Sequence, residues 1–538
     1  MTTTMAPYES EHAIGRDGFG QLLHAEWTKF RTVRGWVIGA FLAALVMVLL
    51  ALLTASASHS ETCIQNNCHV THHSLLLGPS GEPVNDEFYF VHKPLSGNGS
   101  ITARITSLTG LYSPIGAVRA VPGPIGGHQT GMSHGLQPWS KAGVIVKAST
   151  TQGSAYAAMM MTGSHGVRMQ YNYTHDAGTP TDTQGIVSAA SPRWLRLTRS
   201  GDTLTGYESA DGTHWTKVGT APLPGLPATA QAGVFAASPD YNVTEQHFGG
   251  SSGQGGPSLA TAVFDHVELS GKSSGAAWSG DAVGAGGAHG SFMGAGFHRT
   301  GDGFRVTGSG DIAPAVGGDA GSGQAVERTL VGAFAALIVV IVLGTMFVTS
   351  EYRRGLIRTT LAASPRRGRV LAAKAIVIGV ISFAAGLVAG VIALPIGEHI
   401  LQANGNTIYP ASTLTELRLI VGTAALLAVV SVLALAVGTI LRRSAGAVTL
   451  VIAGIVLPYI LATAMVLPTA ASEWLLRLTP AAGFAIQQSL TQYPQVTASY
   501  TPSTGFYPLA PWAGFAVLCG YTAVAFAVAI IVIRRRDA

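Results

Sequence analysis

Three groups of residues in this chain are of types that do chemistry. Cys63 and Cys68 stand with four residues between them, followed at once by His69, His72 and His73. Two thiols so placed close a small disulfide ring in an oxidising compartment, worth about 2 kcal/mol. A metal site drawing on the histidines is the alternative, with loose ligand spacing. The second group is the carboxylates. Glycoside hydrolysis needs two of them about 5–5.5 or 6.5–9.5 Å apart. No Glu-x-Asp pair occurs in 56–327, and Asp265 and Glu268, three apart, would face opposite sides of a strand. Catalysis is therefore unsupported. The third group is the basic run from Glu351 to Arg367. No phosphate loop of the form G-x-x-x-x-G-K-[ST] accompanies it, so the chain does not cradle ATP by that route.

The elements that position these groups follow from where charge is missing. Of 538 residues 48% are hydrophobic and 11% charged, against about a quarter charged in soluble domains. That composition argues against a purely cytosolic enzyme, and the apolar excess excludes disorder. Six windows, 35–60, 329–350, 375–397, 419–441, 444–472 and 478–533, hold no Asp, Glu, Lys or Arg. Each has room for the roughly 20 residues that cross a bilayer.

The expected order begins with a cytoplasmic tail carrying an interface helix (1–34), a first span (35–56) and an outer domain (57–327). A second span (328–349), a cytoplasmic loop (350–371) and spans at 372–396, 416–441 and 445–467 follow. An outer or re-entrant segment (468–510), a last span (511–533) and a tail (534–538) complete it. Thr54-Ala55-Ser56-Ala57 imitates a cleavage site, but the long apolar stretch behind a polar leader reads as an uncleaved first span. Sixteen Lys and Arg flank the spans on one side, from Arg16 to Arg536, against Arg418 and Arg477 in the short loops opposite. The positive-inside rule then places both termini in the cytoplasm of a multi-pass plasma-membrane protein.

The outer domain reads as strands. Ser100–Ile105 alternates apolar and polar, Gly143–Lys147 is a second run, and Arg193–Arg199 leads through the turn Ser200-Gly201-Asp202 into Thr203–Ser209 and a second turn at Asp211-Gly212. From about 271 to 324 the chain is rich in Gly, with short pieces such as Gly303–Val306 as edge strands. The run Trp194…Arg199-x-Gly201-Asp202-x-Leu204…Tyr207…Asp211-Gly212-x-x-Trp215 resembles concanavalin A-like (laminin G/jelly-roll) domains over roughly 80–270. That resemblance implies glycan binding, with Trp139, Tyr171, Tyr173, Trp194, Tyr207 and Trp215 as a platform. The alternative is that most of these aromatics fill the core or a sheet face.

On the other side, Phe19, Leu22, Leu23, Trp27 and Phe30 recur at helical spacing with Lys29 and Arg31 off the stripe. This describes either a basic helix lying in the membrane interface or a core-packing stripe. In the loop, Leu356, Thr360 and Leu361 share a face beside Arg354 and Arg358 until Ser364-Pro365 breaks the helix. Ordinary positive-inside anchoring is the competing explanation. Leu23–Trp36 and Glu351…Gly355…Arg358…Pro365-Arg366 resemble permease subunits of ABC-2 type exporters, especially actinobacterial ones, over 16–56 and 326–538.

The resemblance implies a half-transporter whose interface helix (Leu23, Trp27, Phe30) and coupling helix (Glu351, Arg353, Arg354, Gly355, Arg358, Pro365, Arg366) rest on a cytosolic ATPase subunit. It also implies short re-entrant helices between spans five and six, a slot that 473–491 fit. The fold class expected is thus an α-helical polytopic membrane protein of six spans, with an all-β concanavalin A-like sandwich inserted between spans one and two. Expected partners are the ATPase, a second permease chain (identical or different), membrane lipids and an extracellular glycan. No cofactor, metal or nucleic acid is expected. Windows without ionisable residues argue against an ion-coupled carrier and for an amphipathic or drug-like passenger. The rival function is a membrane-anchored, glycan-binding sensor.

Overall fold

The computed structural model describes residues 18–64, 67–70, 75–113, 132–178, 187–247, 250–273, 276–284, 294–317, 323–353, 355, 366–464, 466–498 and 500–536. The chain folds as two units. Residues 1–71, 325–489 and 501–538 form one, and 72–324 with 490–500 form the other.

The first unit is helical: α1 (Phe19–Thr32), α2 (Arg34–Ala57), α3 (Ala333–Arg353), α4 (Arg367–Ala403), α5 (Thr413–Leu441), α6 (Ser444–Thr463), α7 (Thr469–Leu478) and α8 (Pro511–Arg536). Among the described residues six helical segments, all but α1 and α7, are long and apolar enough to cross a membrane. In α2 burial is confined to Ala43, Met47, Ala51 and Ala55, a stripe at fourfold spacing, while Phe41, Leu49 and Leu53 stay exposed. Such a face suits lipid. The centre belongs to α3 and α5, each 61% buried over its apolar window.

Helices in lipid gain little from hiding apolar surface and associate through close packing of small residues. Gly344 of α3 accordingly lies so near α5 that a Cβ there would stand 2.3 Å from the Ser431 carbonyl oxygen. After α7 the chain makes a buried 3-10 turn, Pro480–Gln487. Gln487 holds it to α5 by donating to Thr423 Oγ1 at 3.0 Å, and Gly514 of α8 packs against its Ala482 carbonyl.

The second unit is antiparallel sheet organised by one long strand, Phe88–Tyr112. Its first part, Tyr89–Ser96, pairs with Thr229–Ala237, and from there the order continues through Lys141–Lys147, Tyr156–Thr162, Val167–Tyr171 and His175–Gly178. Its second part, Gly99–Ile105, pairs with Arg193–Ser200, then Thr203–Ser209 and Thr216–Pro222. Between the parts stands Gly97 at φ +69, a conformation that side chains resist. Ser258–Ser273 runs beside the long strand from Leu95 to Tyr112, with Gly303–Gly308 beyond it.

Val91, Leu95, Ile101, Ala103 and Ile105 share one core with Val144, Met159, Leu195 and Leu197. A second core covers the other face of the first part, where Phe88, Phe90, Ile145, Tyr156 and Phe235 meet Val84 and Ile312. Hence Lys141–Lys147 and Tyr156–Thr162 are buried at every position and read as continuous runs rather than alternating ones.

Candidate functional site

Four charged side chains of the helical unit converge where α1, α3 and α4 meet. Glu26 and Lys29 lie three apart on α1, Glu351 sits in the last turn of α3, and Lys374 in the second turn of α4. Lys374 Nζ donates to Glu26 Oε2 at 2.8 Å and to Glu351 Oε1 at 2.6 Å. Lys29 Nζ donates to Glu26 Oε1 at 2.9 Å and to Glu351 Oε1 at 3.3 Å. Two cations and two anions thus close a ring in which each cation serves both carboxylates. Glu26 is 3% exposed, Lys374 1% and Glu351 9%. Buried charges persist only when paired in this way, and neutral pairing leaves no group free for acid–base work. For the more exposed Lys29, burial opposes its charge, but hydrogen bonding and attraction to Glu26, then Glu351, outweigh it and raise its pKa.

An apolar cluster backs the ring. Lys374 Nζ lies 5.1 Å from the centre of the Phe347 ring, which Phe30 and Trp36 contact edge-on at 6.2 and 5.5 Å. What this arrangement does is mechanical. It ties the N-terminal helix to the end of α3 and the start of α4, the two points between which the basic segment leaves and returns.

Of the residues the sequence singled out, Glu351 lies in this ring. Phe30 is buried and Leu23 packs against the same cluster, so α1 turns its apolar stripe onto neighbouring helices. Trp27 is 45% exposed. Arg353, Gly355 (φ +68) and Arg366 are exposed, while Arg354, Arg358 and Pro365 lie outside the described residues. Glu26, Lys29 and Lys374 were missed as a set. The usable signal was position: Glu26 stands four residues from both Leu22 and Phe30, on the apolar stripe itself, and Lys374 interrupts the apolar run Val370–Ile378.

In the sheet unit the aromatics do not gather at one place. Arg196 faces Tyr207 across the strand pair, so Trp194, Arg196 and Tyr207 share the outward face, and the Arg196 guanidinium sits 3.8 Å over the Trp215 ring. Tyr171 stacks on His175 at 4.3 Å, in a groove of about 370 Å³ with Asp176 and Thr220. Trp139 is buried against His165 at 3.9 Å, and Tyr173 is wholly buried. Asp265 is forked by Arg104 at 2.6 and 2.5 Å, which holds its carboxyl below the usual range despite partial burial. Cys63 is the register partner of Cys68 in a two-stranded hairpin; their side chains lie outside the described residues. Among the described residues no cluster of potential ligands suits a metal.

The model of the ABC-2 family transporter protein family matches residues 134–538, about three quarters of the chain. This chain belongs to the ABC-2 transporter family. Its six apolar helices are accordingly those of a multi-pass membrane protein, the transport subunit of the family's assemblies, which work with an ATPase subunit. The ABC-2 match begins inside the sheet unit. No curated protein matches the chain.

Solved structures match weakly. A functionally unknown protein from Saccharomyces cerevisiae is 13% identical, with 40% of this chain and 92% of that one covered at a TM-score of 0.21. SCP-B, a member of the Eqolisin family of peptidases in complex with a tripeptide, is 9% identical over 43% and 100% at 0.20. A mutant of the GH43 protein BlXynB from Bacillus licheniformis is 15% identical over 26% and 24% at 0.16. At these scores the likenesses carry no argument.

Proposed function

We propose that this ABC-2 chain is the permease half of an exporter for an amphipathic, lipid-like or drug-like passenger, driven by a separate cytosolic ATPase and paired with a second permease chain. The observation that carries the reading is the four-charge ring. A basic surface segment that receives a power stroke must be anchored rigidly at both ends, or the push is lost in local bending. Here both anchors, the ends of α3 and α4, are locked through Glu351 and Lys374 to α1. Motion of the 354–366 segment would therefore be handed to two spans and to the N-terminal helix together. The charge-free centres of the spans support a passenger that does not need a buried counter-ion.

The sheet unit, in this reading, is a concanavalin A-like sandwich held outside the cell that meets glycan. The face bearing Trp194, Tyr207 and Trp215 and the groove at Tyr171 are the candidate surfaces. The ATPase contact is tested by co-purification. The Arg353→Glu, Arg366→Glu double variant alters two exposed residues and should lose the ATPase subunit while eluting normally from a sizing column. Retention of the ATPase and of its full ATP turnover would remove the basic segment from the interface.

A further inference from the structure

The sheet unit buries an ion pair of its own. Lys147 and Asp86 both have wholly inaccessible side chains, and Nζ lies 2.7 Å from Oδ2. Lys147 closes the strand Lys141–Lys147, and Asp86 closes the short strand Val84–Asp86. The rings of Tyr156 and Tyr173, both fully buried, flank Nζ at 5.7 Å each and keep water out. The two oxygens of Asp86 are treated very differently. Oδ2 accepts from Lys147, from the Tyr173 hydroxyl at 2.8 Å and from the Gly153 N–H at 2.8 Å. Oδ1 is buried without a hydrogen-bond partner among the described residues. A buried ion pair recovers its desolvation cost only when every lone pair is satisfied, and this one is not. Burial correspondingly lowers the Lys147 pKa against the pull of Asp86.

We propose that Lys147 and Asp86 condense into an intramolecular amide, a covalent crosslink between the two strands. Proton transfer from the ammonium to the carboxylate, across the 2.7 Å contact, leaves a neutral amine beside a carboxylic acid, the arrangement a dry site favours over two charges. The nitrogen lone pair then adds to Cγ. Tyr173 and Gly153, already aimed at Oδ2, hold the negative charge that grows there, as donors do in an oxyanion hole. Collapse breaks the Cγ–Oδ1 bond. Of the three ammonium protons, two leave with Oδ1 as one water and one stays on the amide nitrogen, so charge and atoms balance with no oxidant or cofactor. Fixed proximity replaces the activation that a free amine and acid would need. Lys141 and Asp311, 2.6 Å apart, do not share these conditions. Asp311 Oδ1 also accepts the Ile312 N–H, Lys141 donates to the Ile312 carbonyl, and neither Asp311 oxygen is a buried orphan.

Intact-mass measurement of the purified full-length chain, reduced and denatured, reads the bond directly. The expected mass is one water (about 18 Da) below that of the polypeptide. Proteolysis should release the peptide containing Asp86 joined to the one containing Lys147. Asp86→Asn should lose one ammonia (about 17 Da) instead, because nitrogen is then the leaving group. Lys147→Arg should show its full mass, a readout that does not require the variant to fold. A full mass for the natural chain, a deficit that persists in Lys147→Arg, or acylation of Lys147 by an amine reagent in denaturant would each overturn the proposal.

Discussion

At the scale of single residues, the informative feature is that Lys374 serves two masters. Lysine alone among side chains offers three hydrogens on a compact charge, and here two of them are spent on carboxylates from different helices. Removing it leaves Glu26 and Glu351 buried with only the half-exposed Lys29 between them. Lys374→Met should therefore destabilise the helical unit by about 3–5 kcal/mol, the usual result of stranding a buried charge. Adding Glu351→Gln should restore most of that loss, because the remaining Glu26–Lys29 pair is neutral. Thermal melting of the detergent-solubilised protein, followed by sizing chromatography, compares the two; a double variant no better than the single one would refute the shared-charge account. Stimulated ATP turnover should stay low in both, since the tie between α3 and α4 is gone even where the fold is rescued. How much of this was legible beforehand varied by residue. Glu351 was marked by the basic run it opens, whereas Glu26 was not singled out at all. A stripe read as lying on the membrane takes no account of helices that cover it, and only tertiary packing shows that Glu26 faces inward.

At the scale of elements, charge-free windows located the spans because hydropathy and length alone decide whether a helix can sit in lipid. Helix ends were less legible, since α3 and α4 run on past their apolar windows and carry Glu351 and Lys374 inside the unit. The strands divided in the same way. Arg193–Ser200 and Thr203–Ser209 alternate and are flanked by turn residues, so both could be read directly. Tyr156–Thr162 does not alternate, because a second core covers its other face, and periodicity carries no sign of it. Packing between spans makes a sharper prediction. At Gly344 the obstacle to a side chain is backbone, the Ser431 carbonyl at 2.3 Å, which cannot rotate away. Gly344→Val should cost about 1–3 kcal/mol or more as α3 and α5 are forced apart. Gly454→Ala, on a part of α6 where nothing lies within 4 Å, should instead stabilise by about 0.5–1 kcal/mol through helix propensity. If the two variants melt together, the close approach of α3 and α5 is not what holds the unit.

At the scale of the whole molecule, the proposed orientation rests on sixteen basic residues against two. That bias is the ground for proposing a cytoplasmic 350–371 segment. Under the proposed orientation the sheet unit lies outside the cell, where an oxidising environment would also close Cys63 onto its register partner Cys68. Single-cysteine reporters test the arrangement. With the three natural cysteines changed to serine, Asp211→Cys should react with a membrane-impermeant maleimide on intact cells. Arg366→Cys should react only after permeabilisation. The opposite pattern would turn the molecule over in the membrane and place the four-charge ring on the face away from any cytosolic ATPase, so that the ring could not transmit a power stroke at all.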